Sequence, residues 1–239
     1  METTMRDVPH VILLAGSGLR ATPASPRARF RTCMEWILHA YHENGIGDSN
    51  IGIVGGQDIE HLTKEYPGLT FFFNPQWERT SVLASLLCAK EWLKKHDCIV
   101  SYSDVVYRPA LISRMLSSRG KNILAAADKN WRMRYPNRTT WSLKKAEKLW
   151  LDKKDNVIRA RRNTAHFKTV SAELSGGLLY IPKERGKFVI NLGKKTGRFH
   201  EAKNIDTAIF TDLIQESIAK GQIVETVETK WQWAELDEP

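Results

Sequence analysis

The stretch VILLAGSGLRATPASPRARF, residues 11–30, begins as a continuous apolar run and continues as a segment of glycine, proline and arginine. The apolar half is typical of a buried β-strand, because it is unbroken and ends in turn-forming residues. The glycines and the positive charge of the second half indicate a site for phosphate groups. The residues after the glycines decide which kind of phosphate site this is.

The pattern G-x-G-x-x-A begins at Gly16, and it also occurs in dinucleotide-binding folds. That function requires a helix that starts at the second glycine and directs its N-terminus at the pyrophosphate. Pro23 and Pro26 fall in the first turns of such a helix. There Pro26 would remove a backbone hydrogen bond and destabilise the helix by roughly 3 kcal/mol. An NAD(P)-dependent oxidoreductase is therefore disfavoured. We expect instead a long non-helical loop over residues 16–30 that wraps around a triphosphate, with Arg20 among its ligands.

Segments typical of strands and helices alternate along most of the chain. Apolar runs such as IGIVGG (51–56) and NILAAAD (122–128) predict buried strands, and TSVLASLLCAKEWLKKHD (80–97) has the apolar spacing of a helix. Such alternation favours a largely parallel sheet that is covered on both faces. The predicted fold class is therefore α/β: a three-layer α/β/α, Rossmann-like, mostly parallel mixed sheet, in a single domain that spans residues 1–239.

The composition is that of an ordinary globular protein, since 42% of the 239 residues are hydrophobic and 26% are charged. No apolar stretch approaches the roughly 18 to 20 residues that a membrane span needs, so we expect no membrane partner. The N-terminus lacks the pattern of a signal peptide. The three cysteines have no metal-binding or redox spacing, so we expect free thiols and a cytoplasmic location.

The net charge of +9 is unevenly distributed. Between Arg119 and Lys168 there are 15 lysines and arginines against four acids. Such a stretch can bind nucleic acid, bind a small anion or simply face solvent. No zinc-finger spacing, recognition-helix pattern or glycine-arginine repeat accompanies it, so we expect no nucleic-acid partner. An RNA-binding domain remains the alternative to be tested by charge reversal in this stretch.

The opening stretch resembles the start of the nucleotidyltransferases that join nucleoside triphosphates to sugar phosphates, phosphocholine or phosphonates. These enzymes have a strand that ends in A-G-x-G-x-R, followed by a loop rich in threonine and proline. The resemblance continues in order along most of the chain, and the D-x-x-W…Y…R…AEK pattern after residue 128 is similar to the phosphocholine and phosphonate cytidylyltransferase branch. The matching segments are NPQWERTSVLASLLCAKEWL (74–93), IVSYSDVVYRPALISRML (99–116), DKNWRMRYPNRTTWSLKKAEKL (128–149), SAELSGGLLYIP (171–182) and FTDLIQESIAKGQIVETVETKWQWAELDEP (210–239).

This resemblance implies a nucleotide-diphospho-sugar transferase-like fold and a CTP-dependent cytidylyltransferase. Such an enzyme would transfer CMP from CTP to a small phosphonate, for example 2-aminoethylphosphonate, or to phosphocholine, and would release pyrophosphate. A sugar-1-phosphate nucleotidyltransferase and a non-catalytic nucleotide-binding protein of the same fold remain alternatives. The sequence defines neither the acceptor nor the oligomeric state.

The resemblance also implies a site. Asp104 follows the apolar run CIVSYS, at the strand end where ligands gather in open parallel sheets. Together with Asp237 it would hold the cofactor Mg²⁺. The implied catalytic residues are Arg20, Arg27 and Asp104. The implied nucleotide ligands are Leu14, Ala15, Gly16, Ser17, Gly18, Arg20, Arg27, Asn74, Thr80 and Ser81.

The acceptor would be bound by aromatic rings and charges in the second half of the chain. Aromatic faces attract an ammonium group, an arginine can clamp a phosphate or phosphonate, and a carboxylate can contact a substrate amine. The implied substrate-binding residues are Asp128, Trp131, Tyr135, Arg138 and Glu173.

The sequence departs from the family pattern just after the glycine loop. The family has a Pro-Lys pair, whereas Pro26 is followed here by Arg27, and the chain is about four residues shorter before the next helix. Arginine keeps the positive charge but presents it as a planar fork. The residue that meets the triphosphate could therefore be Arg27, Arg29 or Arg31, and the altered region keeps the non-catalytic alternative open.

Overall fold

The computed structural model describes residues 7–15, 26–56, 59–134, 146–162 and 169–235, with the backbone alone for residues 26–32 and 134. The strands are β1 His10–Leu14, β2 Ile51–Gly55, β3 Thr70–Phe73, β4 Cys98–Tyr102, β5 Val105–Tyr107, β6 Ile123–Asp128, β7 Lys148–Leu151, β8 Val157–Arg161, β9 Ala172–Ile181, β10 Val224–Glu228 and β11 Trp233–Glu235. The helices are α1 Pro26–His42, α2 Ile59–Glu65, α3 Val82–Cys88, α4 Lys90–Lys95, α5 Pro109–Ser117, α6 Lys183–Leu192 and α7 Phe210–Ala219.

The main sheet is mostly parallel, as the alternating sequence pattern predicts. Its strand order is β10-β6-β9-β4-β1-β2-β3, and the hairpin of β7 and β8 joins it through β9. Strand β9 runs antiparallel to β4 and β6, whereas the other pairs along this order are parallel. The predicted α/β class with a mixed sheet and helices on both faces is therefore confirmed. We call the end of the sheet where its parallel strands terminate the carboxyl edge.

Strand β1 shows why the central strands have no polar face. Ile12 and Leu14 belong to the apolar cluster under α3, α4, α6 and α7, while Val11 and Leu13 belong to the cluster under α1 and α5. Since both faces of the strand are buried, alternation gives way to a continuous apolar run. Among the described residues, no helix has the length and apolar character that a membrane crossing requires. The three cysteines are free thiols, as predicted.

Helix α1 begins earlier than the sequence suggested. The non-helical loop predicted over residues 16–30 is wrong for its last five residues, because the helix starts at Pro26. Proline disrupts a helix interior but suits the first helical position, where its missing N–H has no intrahelical partner and its φ angle is already helical. Arg27 therefore lies in the first turn of α1 and not in an extended loop.

Two other segments are divided differently from the prediction. The helix expected over residues 80–97 is interrupted at Ala89, whose N–H bonds to Leu86 O at 3.1 Å in a tightened turn. The apolar run before Asp104 likewise does not continue as one strand, because residues 98–107 form β4 and β5, which are separated by a turn at residues 103–104. That turn carries Asp104, so the strand ends where the sequence places a site residue.

The glycine pair in the middle of β9 forms a bulge. Gly176 and Gly177 have φ angles of +54° and +63°, and the register between β6 and β9 shifts beside them. A Cβ at Gly177 would lie 2.7 Å from the Phe210 ring and 2.8 Å from the Tyr102 ring. The bulge thus leaves room for these two aromatic rings against the sheet.

Helix α6 has no counterpart in the sequence prediction, and its glycine explains both the omission and the packing. Gly186 lies where α6 crosses α4, and a Cβ built there would be 1.7 Å from the carbonyl oxygen of Leu93. Glycine weakens a helix interior, so the segment looks unfavourable from its local sequence. Here the absent side chain lets two helix backbones approach each other closely.

This contact predicts the effect of Gly186→Ala. Alanine is the better helix former, but its methyl group would collide with a backbone carbonyl that cannot rotate away. We expect the variant to lower the free energy of unfolding by about 1–3 kcal/mol, as overpacking usually does. Urea denaturation measures the change. Gly47→Ala is the control, since a Cβ there meets no atom within 4 Å; equal stability of the two variants would contradict the packing described.

Candidate active site

The carboxyl edge gathers the predicted site residues that lie next to strand ends. Leu14 ends β1, Asp128 ends β6, and Asp104 follows β4. Because β9 runs in the opposite direction, its start lies at the same edge, with Glu173 directly opposite Asp128. Parallel strands leave their carboxyl ends together, and this edge is where open α/β sheets bind ligands.

The turn that carries Asp104 is held by backbone contacts to the first strand and the first helix. The N–H of Ser103 donates to the carbonyl of Leu14 at 3.3 Å, and the thiol of Cys33 donates to the carbonyl of Ser103 at 3.2 Å. Asp104 itself is exposed. Its carboxylate thus stands next to the end of β1, from which the glycine loop departs.

The C-terminal segment returns to the same turn. Strand β11 pairs antiparallel with β5, and Glu235 lies opposite Val105, the residue after Asp104. The indole N–H of Trp233 donates to Asp128 Oδ2 at 3.0 Å, which fixes the segment to the end of β6. Asp237 lies outside the described residues, but the chain two residues before it is placed beside the Asp104 turn.

The donor chemistry of this turn fits Mg²⁺. An exposed carboxylate beside the end of β1 offers oxygen, the ligand that Mg²⁺ prefers, and protein Mg²⁺ sites often use only one or two carboxylates plus substrate phosphates and water. The described residues contain no group of three or more His, Cys, Asp or Glu side chains that could hold a metal.

Asp128 lies in the interior of this edge. It is 1% exposed, and its Oδ1 accepts the N–H of Asn130 at 2.9 Å while its Oδ2 accepts the Trp233 indole. Both oxygens therefore hold protein groups, and the side chain anchors the C-terminal segment. Trp131 and Glu173 are also buried, and the Arg132 guanidinium lies 4.9 Å from the centre of the Trp131 ring.

Beyond β2, on the other side of β1 from Asp104, Asn74 organises the turn after β3. Its Nδ2 donates to Thr80 Oγ1 at 2.9 Å, and its backbone N–H donates to the carbonyl of Gly55 at 2.8 Å. The N–H of Ser81 donates to the carbonyl of Asp206 at 2.6 Å. The structure thus brings together the three predicted nucleotide ligands of this segment, with Asn74 buried beneath the other two.

Two buried charged residues at this edge were not singled out by the sequence analysis. Lys148 is fully buried, and its Nζ donates to the carbonyls of Ala146 and Arg162 at 2.6 and 2.8 Å. Burial lowers the pKa of Lys148 to about 8, although Glu173 and Glu201 act in the opposite direction. The only available signal was the position of this lysine at the start of an apolar strand.

Glu147 is the second of these residues. Its Oε2 accepts the hydroxyl of Tyr102 at 3.1 Å, and its Oε1 accepts the N–H of Thr211 at 3.4 Å. Burial raises the pKa of Glu147 to about 7, and the positive charge of Arg162 opposes that shift. This carboxyl therefore links β4 to the first turn of α7.

The remaining predicted residues stay predictions. Arg27 belongs to α1, and the structure describes its backbone only. The predicted residues outside the described ranges are Gly16, Ser17, Gly18, Arg20, Tyr135, Arg138 and Asp237.

Comparison with known proteins finds relatives over nearly the whole chain. No family model matches it. A CTP:phosphoglutamine cytidylyltransferase of Campylobacter jejuni is 23% identical over 244 residues, which cover 95% of this chain and 94% of that protein.

Two solved structures share the fold. The inositol-1-phosphate CTP transferase from T. maritima has a TM-score of 0.69 at 14% identity, covering 97% of this chain and 90% of the other. The CTP:phosphocholine cytidylyltransferase from Streptococcus pneumoniae has a TM-score of 0.66 at 16% identity, covering 97% and 95%. The chain therefore has the fold of these two structures, and over nearly its whole length it is similar in sequence to a nucleotidyltransferase.

Proposed function

We propose that this protein is a nucleotidyltransferase and, more specifically, a cytidylyltransferase, which transfers CMP from CTP to a small phosphorylated acceptor and releases pyrophosphate. The observation that carries the proposal is the pairing of β11 with β5, which brings the C-terminal segment beside Asp104 at the carboxyl edge. The nucleotide is proposed from the relatives, since all three are named as enzymes that use CTP.

The acceptor is proposed to be a phosphate ester or a phosphonate. The named acceptors of the three relatives are phosphoglutamine, inositol 1-phosphate and phosphocholine, which share a phosphoryl group but differ in the organic part. From the sequence resemblance, 2-aminoethylphosphonate and phosphocholine remain the first compounds to test. Trp131, Tyr135, Arg138 and Glu173 are the proposed acceptor-side residues, and Asp128 supports them by holding Trp233.

The proposed reaction is an in-line displacement at phosphorus. An oxygen of the acceptor's phosphoryl or phosphonyl group attacks the α-phosphorus of CTP. The bond between that phosphorus and the α–β bridging oxygen breaks, and its electron pair leaves with pyrophosphate. No covalent enzyme intermediate is needed, so the protein contributes mainly by positioning the reactants and neutralising charge.

The proposed roles are based on the position of each residue. The backbone N–H groups of Gly16, Ser17 and Gly18 bind the nucleotide, and Arg20 and Arg27 bind the triphosphate. Asp104 and Asp237 hold Mg²⁺, which when bound neutralises phosphate charge in the transition state.

The reaction is tested by pyrophosphate release with four nucleoside triphosphates against a panel of acceptors in the presence of Mg²⁺. The panel contains phosphocholine, 2-aminoethylphosphonate, phosphoglutamine, inositol 1-phosphate and a hexose 1-phosphate. We expect release with CTP and at least one acceptor, and none when the acceptor is omitted. Preference for another nucleotide would contradict the assignment of CTP, and nucleotide binding without any release would favour the non-catalytic alternative.

Asp104→Asn tests the metal assignment. The amide keeps the shape of the side chain but removes its negative charge, so we expect kcat to fall about a hundredfold or more and half-maximal activity to need more Mg²⁺. Asp48→Asn is the control, because Asp48 is exposed and lies before β2, at the opposite edge of the sheet. Turnover of Asp104→Asn at the wild-type rate would exclude Asp104 as a metal ligand.

Arg20→Ala and Arg27→Ala test the proposed triphosphate site. Loss of a charge-assisted contact to the triphosphate predicts a rise of roughly tenfold or more in the KM for CTP. Arg119→Ala is the control, since Arg119 follows α5 and its guanidinium donates to the carbonyls of Leu116 and Asp7, before β1. Wild-type kinetics in both test variants would contradict the proposed triphosphate site.

A further inference from the structure

Strand β4 is held at each end by a hydrogen bond between a tyrosine and a carboxylate. At the carboxyl edge, the hydroxyl of Tyr102 donates to Glu147 Oε2 at 3.1 Å. At the opposite edge, the hydroxyl of Tyr180 donates to Asp97 Oδ2 at 2.8 Å, and Asp97 directly precedes β4. The two contacts are chemically alike but lie at opposite ends of the strand.

The two carboxylates also bind helix starts in the same way. Glu147 accepts the N–H of Thr211, in the first turn of α7, and Asp97 accepts the N–H of Lys183, the first residue of α6. The N–H groups of a first helical turn have no partner within the helix and favour a negative charge nearby. Each pair therefore joins β4 to one helix on the same face of the sheet.

Only the first pair is next to the candidate metal ligand. Tyr102 is the last residue of β4, two residues before Asp104. Its ring stacks on Phe210 with the ring centres 5.3 Å apart, in the space left by Gly177. The ring and the hydroxyl are thus both fixed, so Tyr102 ties the strand end immediately before the Asp104 turn to α7.

The other side of the turn is fixed independently. Ser103 is bonded through its backbone to Leu14 and Cys33, which belong to β1 and α1. These contacts hold the turn on the α1 face of the sheet, and the Tyr102–Glu147 contact holds it on the α7 face. Loss of the second would leave the strand end before the turn held on the α7 face by the stacking of Tyr102 on Phe210, without the hydrogen bond that fixes the hydroxyl.

The burial of Glu147 at this position lowers the stability of the folded protein at neutral pH. Burial raises the pKa of Glu147 to about 7, above that of an exposed glutamate, with Arg162, Tyr102 and Thr211 opposing the shift and Asp212 adding to it. Because the pKa of this carboxyl is higher in the folded state than in the unfolded state, the folded protein loses stability as the pH rises from the ordinary pKa of a glutamate to about 7. A neutral residue would avoid this loss, which points to a role beyond stability.

We propose that Tyr102 and Glu147 are positioning residues that hold the end of β4 so that Asp104 presents its carboxylate to the metal. This inference rests on the proposed function, because it takes Asp104 as a metal ligand. Neither side chain is proposed to contact the substrate. They act on the position of Asp104 through the backbone between Tyr102 and Asp104.

The experiment compares Tyr102→Phe with Tyr180→Phe. Each change removes one hydroxyl from a tyrosine–carboxylate pair and keeps the ring, so the thermal midpoint should fall by a similar few degrees in both. Binding of Mn²⁺ in the presence of CTP is measured by electron paramagnetic resonance, with CTP alone as the blank. We expect the dissociation constant for Mn²⁺ to rise about three- to tenfold in Tyr102→Phe, as for the loss of one hydrogen bond, and to stay unchanged in Tyr180→Phe.

Glu147→Gln is the second variant and covers the case in which Tyr102→Phe folds poorly. The amide preserves the shape but removes the charge, so we expect the same weakening of Mn²⁺ binding at pH 8 without a lower thermal midpoint. The double variant with Tyr102→Phe should bind Mn²⁺ little more weakly than either single variant, because both changes disrupt the same contact. Equal Mn²⁺ binding by Tyr102→Phe and Tyr180→Phe, or an unaltered affinity in Glu147→Gln, would overturn the inference.

Asp104→Asn separates this inference from the proposed function. If that variant loses Mn²⁺ binding while Tyr102→Phe behaves like Tyr180→Phe, the metal assignment stands and the positioning role fails. If Asp104→Asn binds Mn²⁺ like the wild type, the metal assignment itself fails and the inference fails with it. Because Mn²⁺ binding is measured directly, the comparison does not depend on identifying the acceptor.

Discussion

The parallel pairing of β1 with β4 is the constraint on which the site depends. In this register Leu14 lies opposite Tyr102, so the two strands end at the same level of the sheet. The residue that ends β1 and the turn that carries Asp104 therefore lie side by side at this edge. The hydrogen bond from Ser103 N–H to the carbonyl of Leu14 extends this pairing one step beyond the strands. Strand register alone thus brings the end of β1 and a carboxylate together.

The C-terminal segment also lies at this edge, although more than a hundred residues separate it from Asp104 along the chain. Closing such a long loop costs entropy that grows only slowly with its length, so a few contacts can hold it. The ladder between β5 and β11 provides some, and the bond from Trp233 to Asp128 provides another. The backbone N–H of Arg108 donates to the carbonyl of Gln232, and the guanidinium of Arg114 donates to the carbonyls of Glu228 and Thr229. The segment is therefore fixed on both sides of the turn that precedes β11.

The sequence predicted the features that depend on local pattern, and the missed features depend on tertiary contacts. Strands such as β1 were predictable because burial on both faces leaves a continuous apolar run. The start of α1 was missed because Pro26 was interpreted as a helix breaker, whereas it occupies the first helical position. Helix α6 was missed because Gly186 is favoured there by a carbonyl of another helix that leaves no room for a side chain. The sequence does not reveal that contact between two distant segments. Asp104 was predicted from the family resemblance together with its place after an apolar run, and its role stays a prediction, whereas a sequence cannot show that Glu147 and Lys148 are buried.

Lys148 belongs to a row of buried charged residues that crosses the sheet at the carboxyl edge. Glu173 lies opposite Asp128 on one side and opposite Lys148 on the other. Two facing carboxylates repel each other, and this repulsion is stronger out of water. The N–H groups of Asn130 and Trp233 offset it on Asp128, and the Lys148 ammonium offsets it on Glu173. Removing that ammonium would leave paired buried acids uncompensated, which is usually far more costly than the pair itself. The same charges that tie β6, β7 and β9 to the C-terminal segment therefore restrict which substitutions this edge can accept one at a time.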